Sequence, residues 1–187
     1  IANAQNFGGA VAISGSDVFV GQSGQNATNS PVYVYRKAAD GKWEESAQFV
    51  RSDNDGNDDR FGRAMAADNT ALLIGATLVE ESTGAVYVFT KNAAGEWTES
   101  QRLTPPGLAE GDSYGRSIAL SDKFALIGAA GADSSRGAVF VFKREGNGFT
   151  YHSKLTQDEV EEGALFGLTV VMHGSKALVS AQANGQE

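Results

Sequence analysis

The stretch DNDGNDD, residues 53–59, places oxygen-bearing side chains at alternate positions: Asp53, Asp55, Asn57 and Asp59, with Gly56 between them. Calcium takes about six to eight oxygen ligands, and a glycine lets a short loop wrap the ion. These four residues are therefore the candidate ligands of a Ca2+ site. Counting from Asp53, the twelfth place is Ala64, where an EF-hand carries Glu. The same residues also suit an Asx-rich turn. The corresponding loops PPGLAEGDS and QDEVEEGAL do not repeat the pattern.

A second stretch, GDSYG at Gly111–Gly115, has the form of a nucleophile elbow around Ser113. A serine hydrolase also needs a base, and the chain has only His152 and His173. His152 is expected in an outer strand and His173 in a hairpin turn, both remote from Ser113, and two histidines also make a His-based zinc site unfavourable. Paired carboxylates could do glycosidase or lyase work, but none lies in an apolar setting that would raise one carboxyl pKa. The chain is read as not an enzyme.

Charge narrows the partners. Fifteen basic and 23 acidic residues give a net charge of −8, which repels a nucleic-acid backbone over most of the surface. There is no cysteine, hence no disulfide and no thiolate chemistry. No apolar run approaches the roughly 18 residues of a membrane span. The sequence suits an exported mature form, at the cell surface, extracellular or periplasmic. Asn26-Ala27-Thr28 is a glycosylation acceptor sequence.

The elements that must carry these residues repeat. FGGAVAISGSDVFVGQ starts at Phe7, FGRAMAADNTALLIGA at Phe61, YGRSIALSDKFALIGA at Tyr114 and FGLTVVMHGSKALVSA at Phe166, so the starts are 54, 53 and 52 residues apart. The downstream parts SPVYVYRKAADGKWEES, GAVYVFTKNAAGEWTES and GAVFVFKREGNGFTYHS repeat as well. Alternating apolar and polar residues, rich in Val, Ile, Tyr and Phe, predict four short strands per unit, in the first 7–13, 18–21, 32–36 and 43–50. SGSD, ADGK, AAGE and EGNG are the turns, and no window of a dozen residues has a helical period. The 23 glycines and 3 prolines among 187 residues fit many tight turns. A four-stranded meander repeated in this way predicts an all-β β-propeller in preference to a β-solenoid or open sandwich.

The FG opening, the IGA about 14 residues later, the VYVF strand and the Trp after it resemble the FG-GAP repeats of integrin α-subunit-like β-propellers. The resemblance covers nearly the whole chain and implies adhesion, or protein or carbohydrate binding. The proline of that signature is absent: the chain has Gly21-Gln22, Gly75-Ala76, Gly128-Ala129 and Ser180-Ala181. The turns SGSD, ADNT, LSDK and HGSK are too short to supply the family's calcium loop, so that site is not carried over.

The expected architecture is a single partial propeller over 1–187, with units 7–60, 61–113, 114–165 and an incomplete 166–187, about three and a half four-stranded blades. Phe7, Phe61, Tyr114 and Phe166 are expected to pack between neighbouring blades, and Trp43, Trp97 and Phe149 to close the outer strand over the sheet. An open arc exposes apolar faces. The expected partner is therefore a second copy completing the ring, as a homodimer or other homo-oligomer, or the remainder of a longer propeller. Loops between strands two and three, and between blades, are expected on one face. That face carries Asp53, Asp55, Asp58, Asp59, Glu80, Glu81, Glu110, Asp112, Asp133, Asp158, Glu159, Glu161 and Glu162. It would offer a protein or carbohydrate ligand an acidic surface, unless it is only a solvated rim. The alternatives are the scaffold part of a secreted carbohydrate-active enzyme and a purely structural assembly module.

Overall fold

The structure is a computed structural model that describes residues 6–24, 30–57, 59–158 and 161–182. Three four-stranded antiparallel sheets follow one another along the chain. The first holds β1 (Phe7–Ser14), β2 (Asp17–Gln22), β3 (Val32–Lys37) and β4 (Trp43–Phe49). The second holds β5 (Phe61–Ala67), β6 (Ala71–Ala76), β7 (Ala85–Lys91) and β8 (Trp97–Leu103). The third holds β9 (Tyr114–Leu120), β10 (Phe124–Ala129), β11 (Ala138–Glu145) and β12 (Gly148–Leu155). The fourth unit contributes a hairpin, β13 (Val170–His173) with β14 (Lys176–Val179).

The hydrophobic core lies between sheets. Along β6 every residue is buried, and the pleat sends Leu72 and Ile74 toward the first sheet and Ala71 and Leu73 toward the third. The first interface thus joins Phe19, Val34 and Phe49 to Phe61, Ile74 and Phe89. The next joins Leu73, Val88 and Leu103 to Tyr114, Ile127 and Phe140. A smaller one joins Leu126 and Val141 to Val170, with Phe166 packed against it. The first strands β1, β5, β9 and β13 lie against one another at the inner edge of the array, while the outer strands diverge.

The FG and IGA glycines meet across each interface. A Cβ on Gly75 would lie 2.2 Å from the Gly115 carbonyl oxygen, and one on Gly128 would lie 2.0 Å from that of Gly167. Only glycine lets the backbones approach this closely. Just before each repeated aromatic, Asn6, Arg60, Ser113 and Leu165 all take left-handed φ of 53–57°, so one bend starts every unit.

Phe61 and Tyr114 are fully buried between sheets, as their pattern predicts. Phe7 is exposed and packs on Tyr33 and Tyr35 of its own sheet, because no described sheet precedes it. The outer aromatics differ from expectation. Trp97 reaches back to the first sheet, meeting Phe19 edge-on at 5.3 Å and donating its indole N–H to Asp17 at 2.9 Å. Trp43, with no described sheet before it to receive it, is exposed.

Candidate functional site

The loops between strands two and three are joined to the loops between sheets by backbone hydrogen bonds. Leu78 N–H donates to the Asp59 carbonyl at 3.1 Å, Gly111 N–H to Glu81 at 3.3 Å, Ser113 N–H to Ser82 at 2.8 Å and Leu165 N–H to Ser135 at 2.9 Å. Both kinds of loop therefore lie on one side of the array. The short turns Val79–Ser82 and Ala132–Ser135 hold three consecutive left-handed residues each: Glu80, Glu81 and Ser82, then Asp133, Ser134 and Ser135. Such backbone costs roughly 1–2 kcal/mol per non-glycine residue, and the inter-loop hydrogen bonds offset part of it.

Of the predicted calcium ligands, the structure gathers Asp53, Asp55 and Asp59 around the Arg51 guanidinium, which is almost wholly buried. Its Nε donates to the Asp59 carboxylate. One terminal nitrogen donates to the Asp53 carbonyl at 2.6 Å and its carboxylate at 2.9 Å, and the other to Asp55 at 2.9 Å. Asn57 joins at the edge, donating its side-chain amide to Asp55 at 2.8 Å. The Arg51 guanidinium thus sits among the carboxylates that the sequence offers as candidate metal ligands. Among the described residues no group of three or more acidic, His or Cys side chains is arranged to hold a metal.

The network continues into the second sheet. Tyr87 donates its hydroxyl to Asp53 at 2.9 Å, and Arg102 bridges Asp53 at 3.2 Å and Glu80 at 2.6 Å. Burial pushes the Asp53 carboxyl up, but hydrogen bonds from Arg51 and Tyr87 outweigh it and hold the group below the ordinary aspartate value. Burial, then the Asp53 hydrogen bond, pushes the Tyr87 phenol up. A cleft of about 670 Å³ lies between loop 51–59 and the turn at Glu80 and Glu81, with Arg102 in its wall. A charged, hydrogen-bonded cleft of this kind can hold a polar ligand group.

The acidic face is partly neutralised. Asp59 and Asp112 are buried and serve the fold: Asp59 accepts the Phe61 N–H at 2.8 Å and Asp112 the Ala109 N–H at 2.9 Å. Arg102 pairs with Glu80, and Arg136 with Asp133 and Glu162. Glu81, Glu110 and Glu161 are exposed. Asp58 and Glu159 lie outside the described residues, as does the acceptor sequence Asn26-Ala27-Thr28. Ser113 sits in the left-handed bend that opens the third unit, its hydroxyl at 3.5 Å from the Gly111 carbonyl. His152 lies on β12, beside Phe124, and His173 ends β13.

Sequence reasoning missed Arg51, Arg102 and the polar ties between sheets. Asp17 accepts from Trp97, Lys91 and Arg36, and Arg144 of the third sheet bonds Asp68 and Thr70 of the second. A single signal was available: Arg51 opens the acidic run of the first unit, where the second unit, aligned on its outer strand, has Pro105.

Residues 43–89 and 97–142 match the FG-GAP repeat family. Each match runs from the outer strand of one sheet through three strands of the next, β4 to β7 and then β8 to β11, so the matched unit straddles an interface between sheets. No curated protein matches the chain. No helix among the described residues is long and apolar enough to cross a membrane.

Proposed function

We propose that this chain is a non-enzymatic recognition or adhesion module of the integrin α-like kind, acting extracellularly, at the cell surface or in the periplasm. In this reading residues 1–187 form one domain, a β-propeller segment, that binds a protein or carbohydrate on its loop face. The observation that carries the reading is the joining of loops from successive sheets into one continuous side above a repeated scaffold. Rigid repeats carrying dissimilar loops are a common way to build a binding surface. The test is binding of the purified chain to immobilised glycans and matrix proteins, repeated with Glu81→Gln. Salt-sensitive binding weakened by the substitution is expected. Turnover of a polysaccharide, lost on changing one carboxylate, would instead favour the scaffold of a secreted carbohydrate-active enzyme.

Ca2+ uptake by Asp53, Asp55, Asn57 and Asp59 requires the Arg51 guanidinium to leave, so calorimetry with wild-type chain should give little heat. A clear uptake reduced by Asp55→Asn would restore the metal reading.

The proposal includes completion of the ring, by a second copy or by further blades. Val11 and Ile13 at one end of the array, and Val171 and Leu178 at the other, are exposed. They occupy repeat positions that are covered at the interior interfaces. The ends are not equivalent partners, however. Gly21, Gly75 and Gly128 accept the next unit's FG glycine, whereas Ser180 holds that place in the fourth unit. A head-to-tail copy in the same geometry would press the Ser180 side chain into the Gly8 backbone. Light scattering over a dilution series should therefore show stronger self-association for Ser180→Gly than for wild type if copies close the ring. Equal monomeric masses would favour further blades.

A further inference from the structure

Two arginines stand apart from the others. Arg36, Arg51, Arg102, Arg136 and Arg144 each form an ion pair with a carboxylate, and Arg60 is also engaged. Arg63 and Arg116 pair with no carboxylate among the described residues. They occupy the same place in adjacent units, two residues after the aromatic of FGR and YGR. Their strands, β5 and β9, lie against each other at the inner edge of the array. Both residues are half-buried. Burial holds Arg116 below the ordinary arginine value, and the positive charges of Arg63 and Arg60 add to that.

Strand pairing does not demand arginine at this place, because the first unit has Gly9 there and the fourth Leu168. Unpaired, half-buried like charges destabilise the folded chain. In a chain with 23 acidic residues against 15 basic ones, leaving both without a carboxylate suits an external anion. Two planar guanidinium forks from neighbouring strands offer more donors than a single carboxylate has oxygens. An ion with three or four oxygens can engage both.

We propose that Arg63 and Arg116 form an anion site at the inner edge of the array that takes a tetrahedral oxyanion, sulfate or phosphate, either free or as a monoester. Arg60 adds its charge to the site without serving as its principal donor. The site is independent of the loop-face reading and stands if that reading fails.

The test is calorimetry on the full chain at fixed ionic strength with inorganic sulfate, inorganic phosphate and a sugar monophosphate. The variants are Arg63→Gln, Arg116→Gln and the pair together. Saturable uptake of one ion per chain is expected, weakened about tenfold or more by each single change and lost in the double variant. With the repulsion gone, the double variant should melt at or above the wild type in low salt. Arginines that only support the fold would lower that temperature when removed. Tighter uptake of the monoester supports the site and places the oxyanion on a larger molecule, and equal uptake supports it with the free ion. Absence of saturable uptake by wild type, or uptake unchanged in the double variant, overturns the proposal. Should the double variant fail to fold, Arg63→Lys keeps the charge without the planar fork: weaker uptake supports the site and unchanged uptake overturns it.

Discussion

The outward face of the first sheet and the interface between the first and second sheets carry nearly the same residues in opposite surroundings. Phe7 is 41% exposed and Phe61 fully buried, while Trp43 is 53% exposed and Trp97 only 7%. Each first-strand aromatic still meets an aromatic of its own third strand edge-on, Phe7 with Tyr33 at 5.5 Å and Phe61 with Tyr87 at 5.7 Å. What differs is the preceding sheet, which covers one set, whereas no described sheet stands before the other. A residue's type and place in the repeat therefore give its capacity for burial, and the neighbouring sheet realises it.

The largest test of this comparison is a pair of truncations. Phe61→Ala should cost about 3–5 kcal/mol in chemical denaturation because it empties a filled interface, whereas Phe7→Ala should cost under about 1 kcal/mol. Equal losses would mean that the two faces are not in different surroundings. Gly75→Ala should follow, at about 1–3 kcal/mol, since its Cβ would collide with the Gly115 carbonyl 2.2 Å away and force the sheets apart. A neutral result would show that the interface yields more readily than the repeated glycine contact implies.

Asp17 sharpens the comparison through pH. Burial pushes its carboxyl up, but bonds from Arg36, Trp97 and Lys91 pull it down to about 2, from 3.8 for a free aspartate. A depressed folded value gives stability that is complete above about pH 4 and is lost as pH falls toward 2. Wild type should lose roughly 2 kcal/mol from this group over that interval, and Asp17→Asn should show a flatter acid limb in urea melts. An acid limb of the same steepness would mean that the tie between sheets is not charged. The smallest effect concerns the third unit, where Tyr114 stands in the place of Phe61. Its hydroxyl is buried without a hydrogen-bond partner among the described residues. Tyr114→Phe should raise stability by about 1 kcal/mol, and a loss would reveal a partner for that oxygen.

The strands were legible because pleated alternation is a local signal. The first unit was expected at 7–13, 18–21, 32–36 and 43–50, and the strands are Phe7–Ser14, Asp17–Gln22, Val32–Lys37 and Trp43–Phe49. The candidate site was legible in its residue list but not in its arrangement. Alternating carboxylates suit a metal ion or a guanidinium equally, and only the fold brings Arg51 to their centre. The left-handed turns at Glu80–Ser82 and Asp133–Ser135 had no signal at all, because neither EES nor DSS contains the glycine that positive φ ordinarily favours. Hydrogen bonds from the following loop hold that backbone in place.

By itself, the amino-acid sequence determined the period, the strands, the turns and the glycines, since each depends on side-chain alternation or backbone freedom within a few residues. Tertiary structure decided which aromatics are covered, which carboxylates are already paired, and where two arginines find no carboxylate among the described residues. Burial and charge pairing depend on neighbours brought from other sheets, such as Asp17 and Trp97, 80 positions apart in the chain, and no local pattern records them.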